Sequence, residues 1–257
     1  MRSHTLRVVE HHAYAFRPFW RSGVIGSIVT PVLFLSAMGV GLGSIIDERA
    51  TSSLGGVSYL AFVGSGLLAA TAMQVSANES TFPVMAGIKW IKFFHATVAT
   101  PVTVPALVAG QLVWTGIRLA AGSAIYLIVL ALFGVVESML APLAVVAATW
   151  CGLAFAAPIA AFSSTQENDQ WFPVIFRVGV LPLFLFSGTF FPIDQLPPAL
   201  EAFARVTPLW HGVELTRGLV LGGLDPVLAL VHVAYLSVLV IGGWLVARGT
   251  FRRRMIP

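Results

Sequence analysis

The chain has 257 residues, 57% of them hydrophobic and only 10% charged, with a mean hydropathy of +0.88. A soluble surface, in which about a quarter of residues are charged, cannot be built from that mixture, so a single soluble domain is excluded. The net charge of +4 resides in arginines and lysines at the ends of apolar stretches, which points to lipid headgroups rather than nucleic acid as the partner.

Crossing a bilayer takes about 20 mostly apolar residues. Stretches of that kind fall at about 22-43, 57-77, 112-136, 140-163, 171-191 and 226-247. Backbone groups in hydrocarbon must bond within their own segment or within a closed barrel. The uncharged run from Leu119 to Val136 shows no alternation of polar and apolar positions, so the spans read as helices and the fold class as all-α integral membrane, in one domain over 1-257.

In chain order, residues 4 to 21 read as an amphipathic interfacial helix with Leu6, Val9, Ala13 and Phe16 on one face, and Pro18 ends or kinks it before span one. Charges and aromatics stand where a cleavable signal would carry its apolar core, so none is expected. Span one holds Pro31 and a Gly39/Gly43 pair of the kind that lets helices approach closely. Asp47, Glu48 and Arg49 belong to a short external loop.

Residues 78 to 101 are too apolar for a free loop and too punctuated for a span. Lys89, Trp90, Lys92, Phe93 and His95 suit a short helix across the inner interface, and lipid anchoring and partner docking both fit it. The polar SSTQEND stretch, Ser163 to Asp169, is a second cytoplasmic loop whose Glu167 and Asp169 are solvated or meet basic residues of a partner. After span five, Pro197 and Pro198 can open a short helix through Arg205. Pro208 can open another to about Leu221, with Gly222 and Gly223 as its stop. Both are too short to span and read as external half-helices that dip into the membrane, with Glu214 and Arg217 spaced to pair.

With both termini inside, ten Lys/Arg fall in cytoplasmic segments against three outside, Arg49, Arg205 and Arg217, as the positive-inside rule requires. Arg118 and Arg177 then lie near cytoplasmic span ends, where long side chains snorkel. The single cysteine, Cys151, reads as a small buried residue. His232 lies alone inside span six, without the acidic neighbours a proton relay needs. A phosphate-binding loop, zinc-protease and serine-hydrolase motifs, and paired carboxylates within a span are all absent from the sequence. No ion-coupling group is evident, so energy for transport would come from a separate ATPase.

A family resemblance runs over nearly the whole chain. Leu181-Pro182, Ser187-Gly188-Thr189-Phe190-Phe191-Pro192, Leu196-Pro197, Thr207-Pro208-Leu209 and Arg217 resemble the signature of ABC-2 type transporter permeases. Asn78-Glu79-Ser80-Thr81, Gly87, Trp90, Thr100-Pro101 and Gly110 resemble that family's loop between spans two and three. The chain is most similar to the branch of nodulation-type lipooligosaccharide and daunorubicin-type drug exporters. The resemblance implies a transport subunit in a bacterial plasma membrane, with no cofactor of its own. ATP and magnesium would belong to a nucleotide-binding ATPase subunit, and a second permease copy or a similar chain would complete the pore. By the same resemblance Gly87, Lys89, Trp90, Lys92 and His95 form a coupling helix. Phe184, Phe186, Gly188, Phe190 and Phe191 line the path of an amphipathic substrate, and Pro208, Glu214 and Arg217 belong to the external re-entrant helices. The alternative is a six-span protein that binds a partner without transport.

Overall fold

The computed structural model describes residues 3–38, 41 and 56–256. The Gly39/Gly43 pair and the loop of Asp47, Glu48 and Arg49 lie outside the described residues. Within them every regular element is helical and none is a strand. Five helical runs are long and apolar enough to cross a membrane: His4–Ser36, Tyr59–Trp90, Val104–Leu132, Leu143–Thr165 and Pro226–Met255; Phe172–Phe186 is apolar but shorter.

Helix α1, His4–Phe16, starts at Ser3, whose hydroxyl accepts from Leu6 N at 3.3 Å. A 3₁₀ turn at Arg17–Phe19, with Pro18 inside it, passes the chain into α2, Trp20–Ser36. Val8, outside the apolar face read from the sequence, packs α1 onto the bundle. Val8 is buried and would collide with any side chain at Gly110, whereas Leu6 and Ala13 are exposed. His12 and Phe16 lean on Trp114. The close approach at Gly110, invisible to a periodicity argument, decides which side turns inward.

Helix α3, Tyr59–Ser80, is the centre of the molecule, buried along most of its length and rich in Gly and Ala. Short pieces follow: α4 (Phe82–Met85), a π-helical turn at Ala86–Trp90, and α5 (Phe93–Val98). Helix α6, Val104–Leu132, begins eight residues before the expected span because Thr103 caps it and Pro105 sits in its first turn. Helix α7, Leu143–Thr165, and the last long helix are tied by Trp150 Nε1 donating to Ser237 Oγ at 3.0 Å and by Ser164 Oγ donating to Thr250 Oγ1 at 2.8 Å.

Span five is shorter than the expected 171-191. Helix α8, Phe172–Phe186, includes a π-helical stretch at Ile175–Val180 and ends where Gly188 takes φ +79°. At 1.5 Å per residue it is about 22 Å long, against a hydrocarbon core of about 30 Å. Residues 187 to 189 turn inward and are buried. Helices α9, Pro198–Val206, and α10, Pro208–Leu221, match the expected half-helices, and Gly222 and Gly223 end α10 at φ +92° and +79°. Helix α11, Pro226–Met255, is capped by Asp225, which accepts from Val227 N at 2.7 Å.

Glycines set the closest approaches. A Cβ at Gly212 of α10 would lie 2.3 Å from Cys151 Sγ, and one at Gly243 of α11 would lie 2.7 Å from Pro158 Cδ. Two apolar clusters result. The larger joins α3, α6, α7 and α10; the other joins the α4–α5 region to Val8, the first turns of α6, the end of α7 and Phe251.

Candidate functional site

The segment between α3 and α6 is held from three sides. Phe94 is fully buried and meets Phe251 of α11 with centroids 5.7 Å apart, while Phe93 contacts His11 and His12 of α1 at 5.4 and 5.6 Å. Gly87 lies under these rings, and a Cβ there would stand 2.6 Å from Phe94 Cε2. Lys89 Nζ donates to both the backbone oxygen and Oε2 of Glu167, each at 2.5 Å, and Arg254 bonds the other carboxylate oxygen. Glu167 is therefore not simply solvated. Hydrogen bonds from Arg254 and then Lys89 hold its carboxyl down at about 2.

The opposite side of the segment is bare. Trp90 is 57% and Ile91 72% exposed, and Lys92 and His95 are exposed beside them. Lys92 has φ +59°, the one left-handed non-glycine among the described residues, where the π-helical turn gives way to α5. A side chain in that conformation costs roughly 1–2 kcal/mol. Among the described residues no ion pair holds Lys92, so the structure divides the two lysines: Lys89 fastens the segment to its own chain and Lys92 points away from it.

At the other end of the bundle, Arg217 of α10 is the hub. Its Nη2 donates to Gly188 O at 2.7 Å, its Nη1 meets Glu214 Oε1 at 3.2 Å, and its guanidinium lies 3.8 Å over the Phe62 ring. A Cβ at Gly66 would touch Nη2 at 2.9 Å, so α3 is notched to admit the arginine. Pro208 opens α10 behind Thr207, whose hydroxyl contacts Ser187 Oγ at 3.0 Å and accepts from Trp210 N at 3.4 Å. Gly188 is thus a buried turn with its carbonyl engaged. Phe184 and Phe190 meet edge to face at 5.1 Å, Phe34 lies 6.1 Å from Phe190, and Phe186 and Phe191 are half-buried.

Sequence reasoning missed two pairings. His232 is not alone: its Nδ1 lies 2.7 Å from Nδ1 of His211, and Tyr235 stacks on His211 at 4.0 Å. That bond requires one ring to carry a proton on Nδ1 and the other to accept it, so both rings cannot be protonated there. Arg118 has a partner too: its Nη1 pairs with Glu79 Oε1 at 2.5 Å beneath Phe16. Neither partner is near in sequence, and only helix packing brings them together.

Long apolar helices packed around a notched central one, with charged and aromatic groups gathered at both ends, define an integral membrane protein. The pattern of the ABC-2 type transporter family matches residues 13–221, and the chain belongs to that family. It is 28% identical over 239 residues to Nodulation protein J of Rhizobium meliloti (strain 1021), covering 92% of this chain and 88% of that one. To Nodulation protein J of Rhizobium leguminosarum bv. viciae it is 27% identical, covering 98% and 95%. To that of Bradyrhizobium diazoefficiens it is also 27% identical, covering 97% of each.

Proposed function

We propose that the chain is the transmembrane permease subunit of an ATP-binding-cassette exporter. In this reading it has six spans with both termini cytoplasmic in a bacterial plasma membrane. Two permease chains, identical or similar, pair with two copies of a separate ATPase. The cargo is amphipathic or lipid-linked: a glycolipid, a lipooligosaccharide or a hydrophobic drug. Family membership and the nodulation relatives support export, and ATP hydrolysis belongs to the partner.

The observation that carries the reading is the two-sidedness of the segment from Ala86 to His95. Its inner side is fastened to α1, α7 and α11, so force applied to it reaches helices across the bundle. Its outer side offers an indole, an isoleucine and an unpaired ammonium, the chemistry of a docking surface. On ATP-driven closure of the partner, this segment transmits displacement to the spans. Phe184, Phe186, Phe190 and Phe191 border the path, with Gly188 turning the chain at its outer end. Pro208, Glu214 and Arg217 hold the re-entrant cap.

The test is ATP turnover by the chain co-purified with the ATPase encoded beside it. Lys92→Gly relieves a left-handed side chain and so folds at least as well as the native protein, by about 1 kcal/mol. Turnover that falls in Lys92→Gly without loss of Tm places the charge in the docking surface. A chain that copurifies with no ATPase is the partner-binding scaffold instead.

A further inference from the structure

A cleft of about 350 Å³ opens between the first half of α2, the last three turns of α3 and the middle of α6. That is at the lower end of the range for small-molecule sites, about 300–1,000 Å³. Such a space holds a headgroup and leaves the rest of an amphipath in the lipid. We propose that this cleft binds the uncharged, hydroxyl- or amide-bearing headgroup of the exported molecule; the proposal rests on the permease reading and assigns it a place and a chemistry.

Polar side chains from all three helices are set into a largely apolar wall. Helix α3 presents the carboxamides of Gln74 and Asn78. Helix α6 presents Ser123 and Tyr126, and Tyr126 is only 3% exposed. Among the described residues its hydroxyl has no hydrogen-bond partner. A buried hydroxyl left unpaired destabilises the fold, and native proteins rarely keep one without a ligand or a bound water to meet it.

Charge narrows the class. Among the described residues the single formal charge on the wall is Arg118, and it is already met by Glu79 at 2.5 Å. An anionic headgroup finds no free cation there and a cationic drug no free carboxylate, so the site favours neutral donors and acceptors. Glycines keep the space open. A Cβ at Gly26 would meet nothing within 4 Å, and one at Gly122 would meet only Ser27 Oγ at 3.9 Å. Larger residues at these positions grow into the cleft without displacing the fold.

The experiment measures binding of tritiated monoglucosyl-diacylglycerol to the full chain in phosphatidylcholine nanodiscs by scintillation proximity. Saturable binding is expected, displaced by unlabelled glucosyl lipid but not by phosphatidylglycerol of the same acyl chains. Gly26→Leu should weaken it by at least about tenfold, and Tyr126→Phe by about threefold to tenfold, one hydrogen bond's worth. Tyr126→Phe should melt no lower than the native chain. Absent saturable binding, equal displacement by phosphatidylglycerol, or native affinity in both variants overturns the proposal. ATP turnover by the native complex separates the two readings: turnover without sugar-lipid binding removes the cleft alone, whereas no ATPase partner removes the permease reading itself.

Discussion

Arg217 illustrates how one side chain fixes three elements. It reaches from α10 across α3 to the carbonyl of Gly188, and with 15% of its side chain exposed it has little access to water as a substitute partner. Arg217→Met keeps the aliphatic volume but leaves Gly188 O unsatisfied and Glu214 unpaired. It should cost roughly 1–3 kcal/mol, read as a fall in Tm of the purified chain, while Arg217→Lys recovers only part because an ammonium lacks the planar fork that spans Gly188 O and Glu214 from two separate nitrogens. Glu167 gives a pH signature. Its carboxyl is held below the ordinary 4.5, at about 2, so the folded state binds this proton less readily than the unfolded chain. The stabilisation is therefore fully present above pH 4.5 and is lost as pH falls toward 2. Thermal melts between pH 6 and 2.5 should show a slope that Glu167→Gln lacks, and 1 M salt should flatten it because the carboxylate is solvent-exposed. The spacing of Glu214 and Arg217 was legible as an i, i+3 pair. The bond to Gly188 was not, since 29 residues separate the two.

Helices and their stops were the most legible layer. Pro198, Pro208, Gly222 and Gly223 mark α9 and α10 by the conformations these residues permit, and the structure puts the boundaries there. Span five was misjudged because hydropathy runs on through Phe190 and Phe191, while the backbone leaves the helix at Ser187 and turns on Gly188. The side on which α1 packs was not legible, because it is set by Val8 fitting against Gly110, a residue 102 positions away. Composition reports how greasy a stretch is; it does not report which neighbour has made room. The same logic yields a sharp expectation at the α7–α10 contact. Gly212→Ala places a methyl 2.3 Å from Cys151 Sγ and should destabilise by about 1–3 kcal/mol. Adding Cys151→Gly should restore most of the Tm, whereas Cys151→Gly paired with an unrelated change elsewhere should not.

Across the whole molecule one apolar cluster runs along α3, and the other gathers around the α4–α5 region. The candidate coupling segment belongs to one, and the Arg217 hub and the histidine pair belong to the other. None of the pairings Lys89 to Glu167, Arg118 to Glu79 and His211 to His232 joins residues closer than 21 apart. This is why sequence reasoning found the elements and the members of the candidate site but not their partners. The position of α10 also has a consequence for how the protein is made. It is a 14-residue helix carrying His211, Glu214 and Arg217, too short and too polar to enter lipid unaided. Its supports α3 and α7 emerge from the ribosome before it, but α11, which carries the histidine partner, emerges afterwards. A nascent chain stalled before residue 226 therefore already holds the packing supports of α10, but its His211 imidazole has no His232 to meet until the final helix is made.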